Sequence, residues 1–91
     1  MGKIITTVFT FSIEIPFEEW VIFFDSKEAS ERLAKFNIKP LFRGKSYKEP
    51  QKVIVIHKSP EGNMQKFFEA NGSWIATHGV KVSTIEVSDW V

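Results

Sequence analysis

The sequence predicts an α+β fold of the βαββαβ type, a four-stranded antiparallel sheet with its helices on one face. The first observation behind this is a repeat. Lys35-Phe36-Asn37-Ile38-Lys39 closes an amphipathic stretch and starts a strand, and Thr77-His78-Gly79-Val80-Lys81 does the same in the second half. The second is the residue type at the centre of each. Asn and Gly most readily take the left-handed conformation that ends a helix, so Asn37 and Gly79 both read as caps. The third is that each half opens on an apolar, β-branched run, residues 4–15 in one and Val53 to His57 in the other. A strand–helix–strand unit written twice is the ferredoxin-like topology, here as a single domain over residues 1–91. That topology hosts enzymes, regulators and RNA binders, so it assigns no activity by itself.

Each element follows from its residues. In 4–15, Ile5, Phe9, Phe11, Ile13 and Ile15 share one face, and Ile4, Thr6, Val8, Thr10, Ser12 and Glu14 the other. The first set is the core face; the second is semi-polar yet uncharged until Glu14. Pro16 ends the strand and suits a helix start. Phe17 to Phe24 reads as helix, with Glu18 and Glu19 where the dipole favours acids and Phe17, Trp20, Val21 and Phe24 as one stripe. Ser26 caps a second segment from Lys27 to Phe36, in which Ala29, Leu33 and Phe36 face inward. Lys27–Glu31 and Glu28–Arg32 make exposed i, i+4 pairs there. Ile38, Pro40 and Phe42 form a short strand that Pro40 places at an edge.

The polar run Arg43 to Lys52 connects to Val53-Ile54-Val55-Ile56-His57, apolar on both faces as a central strand should be. Ser59-Pro60-Glu61 reads as a helix start. Met64, Phe67 and Phe68 supply that helix's stripe, Asn71-Gly72-Ser73 is expected to break it, and Trp74 to His78 add a further turn. Val80 to Val91 closes the sheet, with Val80, Val82 and Thr84 on one face and Ile85 and Val87 on the other.

Composition removes several function classes. Twelve basic against eleven acidic residues leave a net charge of +1, which gives no electrostatic argument for nucleic acid or an anionic membrane. Without cysteine there is no disulfide framework, thiolate nucleophile or Cys-based metal site. No apolar run approaches a membrane span, and the threonine-interrupted start does not read as a signal peptide, so a cytoplasmic protein is expected. Met1-Gly2-Lys3-Ile4-Ile5-Thr6 formally fits a myristoylation pattern but reads more simply as the approach to a strand. Asn71-Gly72-Ser73 fits a glycosylation acceptor and reads more simply as a helix break.

Helices on one sheet face leave the other bare. Here the bare face carries Thr6, Val8 and one aliphatic row of the third strand, and each large aliphatic left in water forfeits about 1.5–3 kcal/mol. A homodimer packed through the open sheet faces is therefore expected.

Phe17-Glu18-Glu19-Trp20, Asn37-Ile38-Lys39, Phe42-Arg43-Gly44, Pro50 through His57 and Ser88-Asp89-Trp90-Val91 carry a resemblance over nearly the whole chain. On them the protein resembles the dimeric α+β barrel group of ferredoxin-like proteins, and within it a family of small uncharacterised cyanobacterial proteins. The resemblance implies the fold and dimerisation; from that small family no activity comes with it. The wider group includes monooxygenases of the antibiotic-biosynthesis, quinol type and haem-degrading enzymes, which hold a flat aromatic substrate between helices and sheet. Those enzymes resemble one another in an Asn on the first strand and a helix-borne His and Trp. Here the asparagines are residues 37, 63 and 71, none on the first strand, and the Trp74–His78 spacing departs from the haem-degrading pattern.

The candidate chemistry rests on few residues. His57 and His78 are the catalytic candidates: each can act as acid or base if it faces a cavity, and each is otherwise a strand-end or helix-end residue. Trp20, Trp74, Phe9 and Phe11 are the candidates for lining a ligand cleft. The spacing of metal ligands and the glycine-rich phosphate loop are both missing from the sequence, so no metal and no cofactor is expected. Arg43, Lys45, Lys48 and Lys52 form a basic cluster that reads as a solvated loop diluted by Glu49. RNA-binding modules of this topology show aromatics on the third strand; Lys52 to His57 has none, so no nucleic-acid partner is expected. The expected function is binding of a small apolar or aromatic molecule in the helix–sheet cleft of a homodimer. A cofactor-independent monooxygenase or isomerase using a histidine beside Trp20 or Trp74, and a module acting through dimerisation alone, are the alternatives. A histidine-lined cavity of a few hundred Å3 favours the enzyme, and a solid core favours the module.

Overall fold

The computed structural model describes residues 3–91, so Met1-Gly2 of the lipidation pattern lies outside the described residues. The elements run β1 (Ile4–Ile13), α1 (Phe17–Phe24), α2 (Lys27–Ala34), β2 (Lys39–Lys45), β3 (Lys52–Pro60), α3 (Asn63–Ala76) and β4 (Val80–Trp90). The sheet order is β2-β3-β1-β4 with every pairing antiparallel. This is the ferredoxin-like order, with the first helical limb split in two. The split falls at Asp25-Ser26, where the Ser26 hydroxyl accepts from the Ala29 amide at 3.2 Å and caps α2.

Both caps behave as the repeat predicts. Asn37 sits at φ +56, and the Ile38 amide reaches back to the Leu33 carbonyl at 3.1 Å while the Asn37 amide reaches Ala34 at 3.0 Å. That pair of bonds is the Schellman closure. Gly79 sits at φ +87 against Ile15, where a Cβ would come within 2.9 Å of a side-chain carbon, so glycine is required twice over.

Strand parity sets the two faces. Odd residues of β1 and β3 point to the helices: Thr7, Phe9, Phe11, Ile13, Val53, Val55, His57 and Ser59 are all buried. Trp20 from α1 and Val80 from β4 complete this main core. Leu33, Ile38 and Phe67 form a second, smaller cluster where α2 and α3 meet. The even residues look the other way, Val8 opposite Ile56 and Thr10 opposite Ile54. Phe42 joins them, its ring lying over Gly44.

Four local expectations are corrected. Ser59-Pro60 does not start a helix; β3 runs on to Pro60 because β1 extends to Ile4 and pairs with it, and the turn waits for Gly62 at φ +86. Asn71-Gly72-Ser73 does not break α3. Asn71 is buried, its amide donating to the Phe67 carbonyl at 3.1 Å and its Oδ1 accepting from Arg32 at 2.7 Å, so cross-helix bonding carries the helix past Gly72. In β4, Val80 and Val87 share a face instead of opposing one another. A register shift between Glu86 and Lys81 loops out extra residues, so Val80 opposite Ile13 and Val87 opposite Phe9 both point to the helix side. The run expected as a polar connection is also shorter, since Arg43 to Lys45 belong to β2.

Candidate functional site

The helices do not close fully on the sheet. A cavity of about 70 Å3 lies between them, floored by Phe9, Phe11 and Val55 and roofed by rings of α1 and α3. Its walls are almost entirely hydrocarbon. Strand parity brings Phe9 and Phe11 to it, and helical spacing brings Trp20 with Phe23 and Phe24 from α1 and Phe67 with Trp74 from α3.

His57 is the polar exception on the sheet side. The Val53, Val55, His57 row points to the helices, so His57 is 6 % exposed instead of standing open at a strand end. Phe9 meets it edge-on with centroids 5.8 Å apart, and Phe24 packs at 5.9 Å. Desolvation in this aromatic setting lowers its pKa to about 4, so the imidazole is neutral at physiological pH. Its Nδ1 is buried and finds no hydrogen-bond partner in the protein.

Trp20 is the second exception. It is 2 % exposed, stacked on Phe24 at 4.8 Å and Phe17 at 5.8 Å and edge-on to Phe11 at 5.7 Å. Its Nε1 is likewise buried without a partner, and among the described residues these two are the side-chain nitrogens or oxygens so placed. Each such group costs about 1–3 kcal/mol.

The four aromatic residues chosen from the sequence, Trp20, Trp74, Phe9 and Phe11, line this one cavity together with His57. His78 does not join them. It stacks on Phe23 at 3.9 Å, and its Nδ1 donates to the Trp74 carbonyl at 2.7 Å, which makes it a helix-end residue. Sequence reasoning missed Phe23, Phe24 and Phe67 as lining residues. The signal was available: Phe23 and Phe24 stand three and four residues from Trp20, and Phe67 two turns before Trp74. On the outer side, Arg32 lies over the Trp74 ring, 4.3 Å from its centroid.

Two of the four residues of the basic cluster are paired with acids. Arg43 pairs with Asp25 through two hydrogen bonds, and that bonding lowers the Asp25 pKa and raises that of Arg43. Lys45 lies 3.6 Å from Glu18 and over the Phe17 ring. Among the described residues no group of three or more His, Cys, Asp or Glu side chains is placed to hold a metal, and no helix is long and apolar enough to cross a membrane.

The chain belongs to the DUF3764 family, a domain of unknown function whose model matches residues 4–91. No curated protein and no solved structure matches it.

Proposed function

We propose that this member of the DUF3764 family is a cytoplasmic homodimer that binds a small, uncharged, mostly apolar molecule in the cleft between helices and sheet. The observation that carries this is the cavity itself, hydrocarbon-walled and bearing one neutral histidine. Protein interiors pack densely and leave few voids larger than a water molecule. By the cavity cost of about 24 cal/mol per Å3, a void of 70 Å3 forgoes roughly 2 kcal/mol of packing. A ligand that fills it recovers that contact energy.

The volume also ranks the alternatives. A benzene-sized ring needs a cavity of about 150 Å3, so the space as it stands suits roughly three or four non-hydrogen atoms. The oxygenase or isomerase reading has its histidine, neutral and able to accept a proton, but a cavity well short of a few hundred Å3. A flat aromatic substrate would require the flexible Met64 and the neighbouring rings to move aside. A module acting through dimerisation alone calls for a core without such a void.

Xenon and isobutene are suitable probes of an apolar space this size. Titration of either should shift the backbone amide resonances of Phe9, Val55 and Ile75 saturably and leave those of the β2–β3 turn unmoved. Unchanged spectra at probe saturation would overturn the binding reading.

A further inference from the structure

The sheet order leaves two edge strands, β2 and β4, and their sequences differ in kind. β2 is guarded against further pairing by Lys39, Pro40 and a loop-out at Leu41. β4 has no proline and one base, Lys81, along its 11 residues. From Lys81 onward every residue of β4 except the half-buried Ile85 is exposed, Val82 at 50 % and Val87 at 55 %. A long, apolar, uncovered edge of this kind is a template for another strand. Its own residues say which strand. From either end, Val80-Lys81-Val82-Ser83-Thr84-Ile85-Glu86-Val87 runs through valine, charge, aliphatic and hydroxyl, and the two charges are opposite in sign.

We infer that β4 is a self-association surface separate from the open sheet face, pairing antiparallel with β4 of a second copy about a two-fold axis between Ser83 and Thr84. That axis sets Lys81 against the partner's Glu86, and Val80 against the partner's Val87. The faces agree as well as the residue types. Lys81 and Glu86 lie opposite Ser12 and Thr10 on the open face, while Val80 and Val87 lie opposite Ile13 and Phe9 on the helix side. Residues opposed across an antiparallel pair share a face, so like meets like on both sides of the joined sheet. The loop-out between Lys81 and Glu86 falls on the axis. Thr84 ties it back to β1, its Oγ1 accepting from the Ser12 amide at 2.8 Å and donating to the Lys81 carbonyl at 2.6 Å. The contact is therefore two short ladders, one on each side of the axis, and is weaker than an unbroken strand pair. Edge pairing leaves the open faces free, so the two contacts can combine into four chains about perpendicular axes.

Sedimentation of the wild-type chain tests this. Whatever the mass at micromolar concentration, it should double as the chain is raised to about 1 mM, where weak contacts become populated. A rise from two chains to four keeps the open-face pairing as well, and a rise from one to two removes that pairing while leaving this inference standing. Lys81→Glu and Glu86→Lys each set like charges against one another at both ends of the contact, and each should weaken the doubling at least fivefold. Both side chains are exposed, so the fold should survive either change. An equimolar mixture of the two single variants should recover the association, because each then meets its complement, and so should the double exchange Lys81→Glu/Glu86→Lys. A wild-type mass that stays constant with concentration overturns the inference. Doubling that persists equally in the single variants does so too, as does a mixture that associates no better than its components.

Discussion

A neutral imidazole is cheap to bury and an imidazolium is not, and His57 turns that difference into a measurable dependence on acid. Walled by Phe9 and Phe24, it titrates at about 4 in the folded chain against 6.5 for an exposed histidine. Between those values the unfolded chain binds a proton that the folded chain refuses, so the unfolding free energy falls as pH falls. The stabilisation is complete above about pH 6.5 and is lost progressively on the way down to about pH 4. From pH 7 to pH 5, before most carboxylates protonate, the loss from this one group should be about 2 kcal/mol. Urea unfolding at the two pH values should show it, and His57→Leu should remove it. An equally steep decline in the variant would place the titrating group elsewhere. At this same scale Trp20 contributes no charge, only an indole N–H that the surrounding hydrocarbon cannot satisfy.

Elements are held to one another by a few polar ties laid across apolar seams. Arg32 on α2 is the clearest, bonded to Glu28 at 3.0 Å, to Asn71 Oδ1 at 2.7 Å and packed over Trp74. The Glu28 partner is well exposed, so Glu28→Gln should change stability by less than about 0.5 kcal/mol. Asn71 is buried, and Arg32→Leu should cost about 1–3 kcal/mol by stranding its oxygen. In the double variant Arg32→Leu/Asn71→Leu no stranded acceptor remains, and urea unfolding should place it nearer wild type than the Arg32→Leu single variant. This tie also marks a limit of what the residues reveal unaided. Asn37 and Gly79 were legible because a left-handed cap is a property of one residue and its chain neighbours. Asn71 was not, since the partner that makes it a helix residue is 39 positions away. The same holds for Ser59 and Pro60, which extend a strand only because Ile4 and Ile5 lie opposite. In the site, period and parity identified four lining aromatics. They left His57 undecided, because a strand apolar on both faces does not say which one meets the helices.

The whole molecule shelters one side of its sheet and leaves the other open. Val8, Ile54 and Ile56 stand half-buried at the centre of that open face, with Phe42, Ile4 and Trp90 each at least half exposed around them. A solvent-washed sheet face normally alternates to polar residues, whereas here the charges, Lys58 and Glu86 among them, sit toward the margin. An apolar centre inside a polar rim is the layout of a protein interface. The face lies on the same chain in every copy, so two of them brought together about a two-fold axis bury the same residues twice. Close to 800 Å2 per chain makes a stable contact of this kind, within reach of four strands. The wild-type protein should therefore sediment at twice its 10.5 kDa chain mass at micromolar concentration. Ile56→Lys puts an ammonium at the centre of the contact beside its own symmetry copy and should shift the mass to a single chain. Ile22→Lys, on the exposed outer side of α1, should leave the dimer intact. Because the cavity lies across the sheet from this face, the single-chain Ile56→Lys variant should still take up isobutene. A wild-type chain that sediments alone, or an Ile56→Lys variant that stays paired, would show that these hydrocarbon groups meet water or some other surface instead.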